Sequence, residues 1–240
     1  MRLITSTVNP IALPLPESPK GWVPYPQFSG QTPSLSFMGC HVSVLSPGAS
    51  PHPPHSHVEE ELLIVLAGEA EIIIASNAED SAPRRERLQQ GQFSYYPAWR
   101  HHTIRNVSSS PVTYLMFKWI GEPSGAEGQL TADVFDCRPL FAEDRTDAFS
   151  ARRLFDAPTG WLRRLHSHAT VLQAGGGYEP HVDAYDVAIV LMEGTIETMG
   201  ERITGAGVVY YAEGIPHGMH NPGPGAARYI VFEFEKQRTV

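Results

Sequence analysis

The sequence predicts an all-β fold of two similar units in tandem, and three observations carry that reading. Apolar segments a few residues long recur along the 240-residue chain, separated by turn residues; Gly and Pro number 21 each and are scattered between the segments rather than arranged in a period. Prolines at Pro10, Pro14, Pro16, Pro19, Pro24, Pro26 and Pro33 exclude helix and central strand from the N-terminal region. The two halves also repeat one another: His55 stands thirteen residues before Gly68, and His181 thirteen before Gly194, each pair bracketing an apolar run. With 42% hydrophobic residues, a chain of this length can bury either one large core or two modest ones.

In chain order, residues 9–33 form an extended arm, of the kind that packs over a sheet edge or a neighbouring subunit. Strands are expected at 35–45, 61–66, 70–75, 93–96, 102–107 and 112–120, then again at 161–173, 185–192, 195–199, 207–211, 217–220 and 228–235. The polar stretch 76–87 lengthens the first series and is expected to be an enlarged hairpin loop. Between the series, 121–150 has mixed polarity and is expected to hold a short helix around 142–149. These readings divide the chain into a first unit at 1–120 that carries the arm, a linker at 121–150 and a second unit at 151–240.

Composition removes several function classes. A formal charge of −8 argues against a nucleic-acid partner, because phosphate binding needs a basic surface. The pairs Arg84-Arg85, Arg152-Arg153 and Arg163-Arg164 are short, interrupted and read as solvated edges. Cys40 and Cys137 are far apart and outside any C-x-x-C arrangement, which supports neither a disulfide framework nor a zinc ribbon and fits a reducing cytoplasm. No apolar stretch approaches the ~20 residues of a spanning helix, and 1–19 lack a signal-like apolar core, so a cytoplasmic protein without membrane partners is expected. Nucleophile elbow, phosphate loop and dinucleotide fingerprint are all absent.

Side chains alternate faces along a strand, so His55, His57 and Glu61 project to one side if their segment is extended. Leu63 and Val65 continue that face, and Leu62, Ile64 and Leu66 supply the other, which makes the strand buried on both sides. Two imidazoles and a carboxylate form a mixed nitrogen and oxygen set that suits one divalent transition metal, Fe, Mn, Ni, Cu or Zn. A fourth ligand is expected, and antiparallel pairing can bring His102 opposite the other three. His52 and His101 lie out of phase with their neighbouring candidates and read as surface or supporting histidines.

These residues resemble the cupin superfamily. The family's first motif, G-x5-H-x-H-x3,4-E-x6-G, is similar to Gly48, His55, His57, Glu61 and Gly68, with one extra residue after Gly48; the second, G-x5-P-x-G-x2-H-x3-N, is similar to Gly91, Pro97, Trp99, His102 and Asn106. Trp99 stands where the family has a turn glycine. The resemblance implies two cupin-type jelly-roll β-barrels in one chain, a bicupin, with His55, His57, Glu61 and His102 as metal ligands in the first and open coordination positions for water or substrate.

In the second barrel, Asp183 stands at the position of the family's second His, Val187 at that of its Glu and Ala212 at that of its Pro. That barrel is expected to be empty or to hold a small molecule. A competing reading takes His181, Asp183 and His217 as a second, two-histidine, one-carboxylate site, with Arg228 similar to the 2-oxoacid-binding arginine of the 2-oxoglutarate oxygenases. Tyr95, Tyr96 and Trp99 flank the second-motif turn and are candidates for a substrate pocket; core packing is the preferred reading of the two tyrosines, and Trp99, at a turn position, is the better candidate.

Cupins run many chemistries on one scaffold. The expected activity is that of a metal-dependent enzyme on a small oxygenated organic substrate. Dioxygenase chemistry is favoured, with a redox-neutral isomerase, lyase or aminohydrolase, or a non-catalytic binder, as alternatives. Exposed barrel edges and the Pro-rich arm make a homodimer the expected assembly.

Overall fold

The protein is described by a computed structural model whose described residues are 2–142 and 147–237. Ten strands belong to the first part of the chain: β1 (Thr7–Ile11), β2 (Trp22–Gly30), β3 (Phe37–Leu45), β4 (Glu60–Ala67), β5 (Glu69–Ala75), β6 (Arg84–Gln89), β7 (Gln92–Tyr96), β8 (His101–Arg105), β9 (Val112–Ile120) and β10 (Asp133–Asp136). After the one-turn helix α1 (Arg138–Phe141) come β11 (Phe149–Ala157), β12 (Arg164–Leu172), β13 (Gly177–His181), β14 (Asp186–Glu193) and β15 (Thr195–Thr198). The chain closes with β16 (Glu201–Thr204), β17 (Ala206–Tyr211), β18 (His217–His220) and β19 (Ala227–Glu235). No helix among the described residues is long and apolar enough to cross a membrane.

Two jelly-roll barrels result. In the first, the six-stranded sheet β10-β7-β4-β9-β3-β2 faces the three-stranded sheet β6-β5-β8; in the second, β1-β17-β14-β19-β12-β11 faces β13-β18-β15-β16. Period-two alternation sorts each central strand between two cores. On β4, Leu63 and Val65 fill the first barrel, while Leu62, Ile64 and Leu66 enter a shared core between the six-stranded sheets. On β19, Tyr229 and Val231 fill the second barrel, and Ile230, Phe232 and Phe234 meet that same shared core.

The N-terminal arm is ordered as two edge strands, where proline is tolerated because its missing N–H faces no partner. Residues 7–11, placed with the first unit by the sequence, pair with β17 of the second barrel. Residues 133–136, placed in the linker, pair with β7 of the first. Each barrel thus receives an edge strand from the segment that precedes the other one. Two other expectations change. Part of the 76–87 loop is strand, since β6 pairs with β5 along Arg84–Gln89; its run RRERLQ is polar because it forms a sheet edge. The helix lies at Arg138–Phe141 rather than 142–149, where Phe149 already starts β11 and residues 143–146 fall outside the described ones.

Matching buried carboxylates pin the barrels together. Glu60 accepts hydrogen bonds from Trp119 Nε1 at 2.8 Å, Thr159 Oγ1 at 2.6 Å and the Gly160 amide at 2.7 Å. Asp186, its counterpart on β14, accepts from Thr32 Oγ1 and, at 2.9 Å, from the Glu213 amide. Burial pushes both carboxyls above their ordinary range, against the pull of these donors. Removing one donor leaves a desolvated oxygen short of a partner, so Thr159→Val is expected to cost about 1–3 kcal/mol in denaturant unfolding, and Thr159→Ser much less.

Candidate metal centre

Three of the four predicted ligands, His55, His57 and His102, cluster at the mouth of the first barrel, and Glu61 lies against two of them. Glu61 enters from β4 on the face that carries Leu63 and Val65. His102 comes from β8 in the opposing sheet, and His55 is brought to it by a backbone bridge with N···O distances of 3.1 and 2.9 Å. The rings of His55, His57 and His102 stand 5.0–5.2 Å apart, centroid to centroid, in a nearly equilateral triangle. Their ligand atoms lie within 4.8 Å of one another. Glu61 Oε2 lies 3.2 Å from His57 Nε2 and 3.4 Å from His102 Nε2.

Backbone carbonyls fix the orientation of the rings. His55 Nδ1 meets the His102 carbonyl at 3.3 Å, His57 Nδ1 that of Glu59 at 3.0 Å, and His102 Nδ1 that of Arg100 at 2.8 Å. His57 and His102 then turn Nε2 to Glu61, and the His55 contact leaves its Nε2 free, the arrangement that sets tautomer and basicity in metal-binding histidines. Tyr96 stacks on His102 at 4.2 Å and 11°, holding that ring from beneath.

The surroundings keep the Glu61 carboxylate ionised. Burial alone pushes the Glu61 carboxyl up, but His102, His57 and Lys118 outweigh it and hold it well below the usual carboxylate range. Burial, with His52, His102 and His57 nearby, pushes His55 down to about 4, so it offers a free lone pair at neutral pH. Glu61 Oε2 is buried, and although three nitrogens stand 3.2–3.4 Å away, none donates to it with hydrogen-bond geometry. A buried carboxylate oxygen without a hydrogen bond, beside two of three clustered imidazoles, adds an oxygen to a nitrogen donor set that suits a first-row divalent ion.

Two further groups, one in contact with Glu61 and one facing the same barrel interior, were not singled out in the sequence. Lys118, on β9 directly opposite Glu61, puts Nζ 3.4 Å from Glu61 Oε2 and 3.1 Å from His57 Nε2. His41, on β3, lies on the opposite face to Cys40 and Val42 of the shared core; its Nε2 is buried without a hydrogen bond, and burial, with Lys118 opposing Glu61, lowers its pKa. The available signal was a charged residue in phase with Tyr114 and Met116 in an otherwise apolar strand.

The aromatic candidates separate. Tyr95 belongs to the shared core beside Trp119, because strand alternation turns it away from the barrel interior, and it does not line a pocket at the metal centre. Tyr96 is interior but fully buried under His102. Trp99 is 64% exposed at the turn, with φ +65°. That left-handed conformation costs a non-glycine residue about 1–2 kcal/mol. Its amide donates to the His57 carbonyl at 2.8 Å, so the strained turn anchors the ligand loop.

In the second barrel, His181, Asp183 and His217 also come together. Asp183 Oδ2 is 3.3 Å from His217 Nε2 and 3.7 Å from His181 Nε2, and Tyr211 stacks on His217 at 3.9 Å as Tyr96 does on His102. They line a cavity of about 150 Å³ with Tyr178 and Tyr229. Arg228 takes no part: it pairs with Glu193 and donates to the Phe141 carbonyl at 3.0 Å, facing the Arg138 side of the molecule. The resemblance to a 2-oxoacid-binding arginine fails because even-numbered β19 residues point out of that barrel.

Comparison with known proteins agrees with this architecture. The cupin domain family matches residues 41–118. No curated protein sequence matches the chain. A Pseudomonas aeruginosa protein named for induction by glyoxylate superposes with TM-score 0.70 at 13% identity, covering 92% of this chain and 83% of that one. A single-site mutant of the Bacillus subtilis oxalate decarboxylase gives 0.64 at 12%, over 100% of this chain and 79% of that one. A cupin 2 conserved barrel domain protein from Leptotrichia buccalis gives 0.61 at 12%, over 93% and 92%.

Proposed function

We propose that this chain, which belongs to the cupin superfamily and has its two-barrel fold, is a metal-dependent enzyme acting on a small organic acid in the first barrel. His55, His57, Glu61 and His102 would hold one divalent ion, which supplies Lewis acidity toward an oxygen of the substrate. The observation that carries the substrate class is Lys118. An ion binds histidine only as the neutral ligand, so in the loaded site the Glu61 carboxylate and the Lys118 ammonium cancel and a divalent ion leaves two uncompensated positive charges in a half-buried site. Such a site favours an anionic ligand strongly.

Lys118 would orient a carboxylate of that ligand, and His41, kept neutral by burial, is placed to accept a proton on the same inner face. These groups support redox-neutral chemistry over the dioxygenase expectation. The aromatic wall that favoured the latter is reduced to Trp99, since Tyr95 and Tyr96 are packed away. The oxalate decarboxylase and glyoxylate-induced neighbours share the fold and make short dicarboxylic and 2-oxo acids the first compounds to try.

The test is conversion of such acids followed by NMR, with dissolved oxygen recorded, on protein loaded with Mn(II), Fe(II), Co(II), Ni(II) or Zn(II). Turnover without stoichiometric oxygen uptake is expected. In Lys118→Met, metal content should persist while KM rises about 10–100-fold, the loss of one charge-assisted hydrogen bond. Stoichiometric oxygen consumption would instead establish the dioxygenase reading, and an unchanged KM would remove Lys118 from substrate binding.

A further inference from the structure

We propose that the second barrel carries a divalent-metal site of its own, formed by His166, His168 and Glu233 rather than by the residues at the family's ligand positions. His166 and His168 lie on β12, alternating with Leu165 and Ala169 of the shared core, so both face inward with Leu172. Glu233 is in phase with Tyr229 and Val231, the inward residues of β19. The register sets Glu233 directly opposite His166 and two positions along from the pair that His168 makes with Val231, on the same face. One ligand atom from each of the three lies within 4.8 Å of the others, as in the His55, His57 and His102 group.

The repeat explains how such a site arises. A constant offset of 126 residues carries Glu61 to Val187, and one of 115 carries Lys118 to Glu233. Glu61 pairs with Lys118 across β4 and β9, and Val187 pairs with Glu233 across β14 and β19. In the second barrel the carboxylate therefore stands one strand over, in the place of the lysine, and faces β12 rather than the mouth loop. His168 occupies the place of His41 at an offset of 127, and His166 adds a second imidazole where the first barrel has Gly39.

Supporting contacts match a metal site. Asp156 Oδ2 lies 3.2 Å from His166 Nδ1, leaving Nε2 for an ion, the carboxylate–histidine arrangement of metal centres. Arg164 Nη1 donates to Glu233 Oε2 at 2.9 Å; a carboxylate has two oxygens, so it can hold Arg164 through one and an ion through the other. His168 and Glu233 line the 150 Å³ cavity, which leaves room for a small ligand beside the ion. Two imidazoles and a carboxylate suit Zn(II), Fe(II) or Co(II).

The experiment is a Co(II) titration of metal-free full-length protein, followed by visible absorption and metal analysis, in a His57→Ala background that disables the first barrel. One equivalent should still bind. A second substitution, His168→Ala, should weaken it at least tenfold, and Glu233→Gln should do the same in a protein whose melting curve confirms the fold. His181→Ala in that background should leave it within threefold. Absence of Co(II) in the His57→Ala protein would overturn the proposal. So would loss with His181→Ala, alone or together with His168→Ala, because the ion would then sit at or be shared with the family-type position. Since the first barrel is disabled throughout, the result does not depend on the activity proposed there.

Discussion

The His102→Ala variant is expected to lose one equivalent of bound metal and its catalytic turnover while keeping its fold. The bonds that hold β8 to the His55 segment are made by backbone atoms, so the imidazole can be removed without unpairing them. What disappears is an inward Nε2 and the ring stacked on Tyr96. Loss of groups that merely orient a ligand costs about 10–100-fold in metal affinity, so loss of a ligand should cost at least ~100-fold. Stability should report the same event. An ion present at 100 times its Kd stabilises the native state by ~2.7 kcal/mol. For a chain of this size that is a Tm shift of about 5–10 °C, by which a chelator should lower wild-type protein. In His102→Ala the part of that response due to the first barrel should be gone. Retention of the full metal content, or an undiminished response, would remove His102 from the centre.

The second large effect concerns the shared core. Phe232 is fully buried between the barrels, in edge contacts with Phe93 at 5.2 Å and Phe117 at 6.2 Å. Phe232→Ala should cost about 3–5 kcal/mol, from lost transfer free energy and the cavity left behind. Both barrels contribute to that core, and each also receives an edge strand from outside its own series. The variant should therefore lower one common melting transition rather than split off a weakened second barrel. Two separated transitions would show that the interface couples the barrels less than its packing implies.

The candidate metal-centre residues were legible in the sequence because their signal is local. The motif spacing marks all four candidates, but period-two alternation does not align them, because β4 begins only at Glu60 and His55 and His57 stand in the segment before it, His55 at an isolated bridge to His102. Most central strands were legible for the same reason, since their apolar runs are bounded by Gly and Pro. Where structure depends on pairing between distant residues, the sequence carried no comparable mark. Thr7–Ile11 and Asp133–Asp136 become strands only because β17 and β7 offer free edges to them. Lys118 reaches Glu61, and Glu233 reaches His166, through cross-strand register. Tyr95 was ambiguous because a motif turn and a buried strand overlap at that point, and only the face decides its role.

The account rests on one ion bound by His55, His57, Glu61 and His102, and anomalous scattering from crystals of metal-loaded protein tests it most directly. At the absorption edge of the bound metal, a peak is predicted about 2.0–2.3 Å from Nε2 of the three histidines and from a Glu61 oxygen. Fully loaded crystals with no peak there, and Lys118 still against Glu61 and His57, would contradict it.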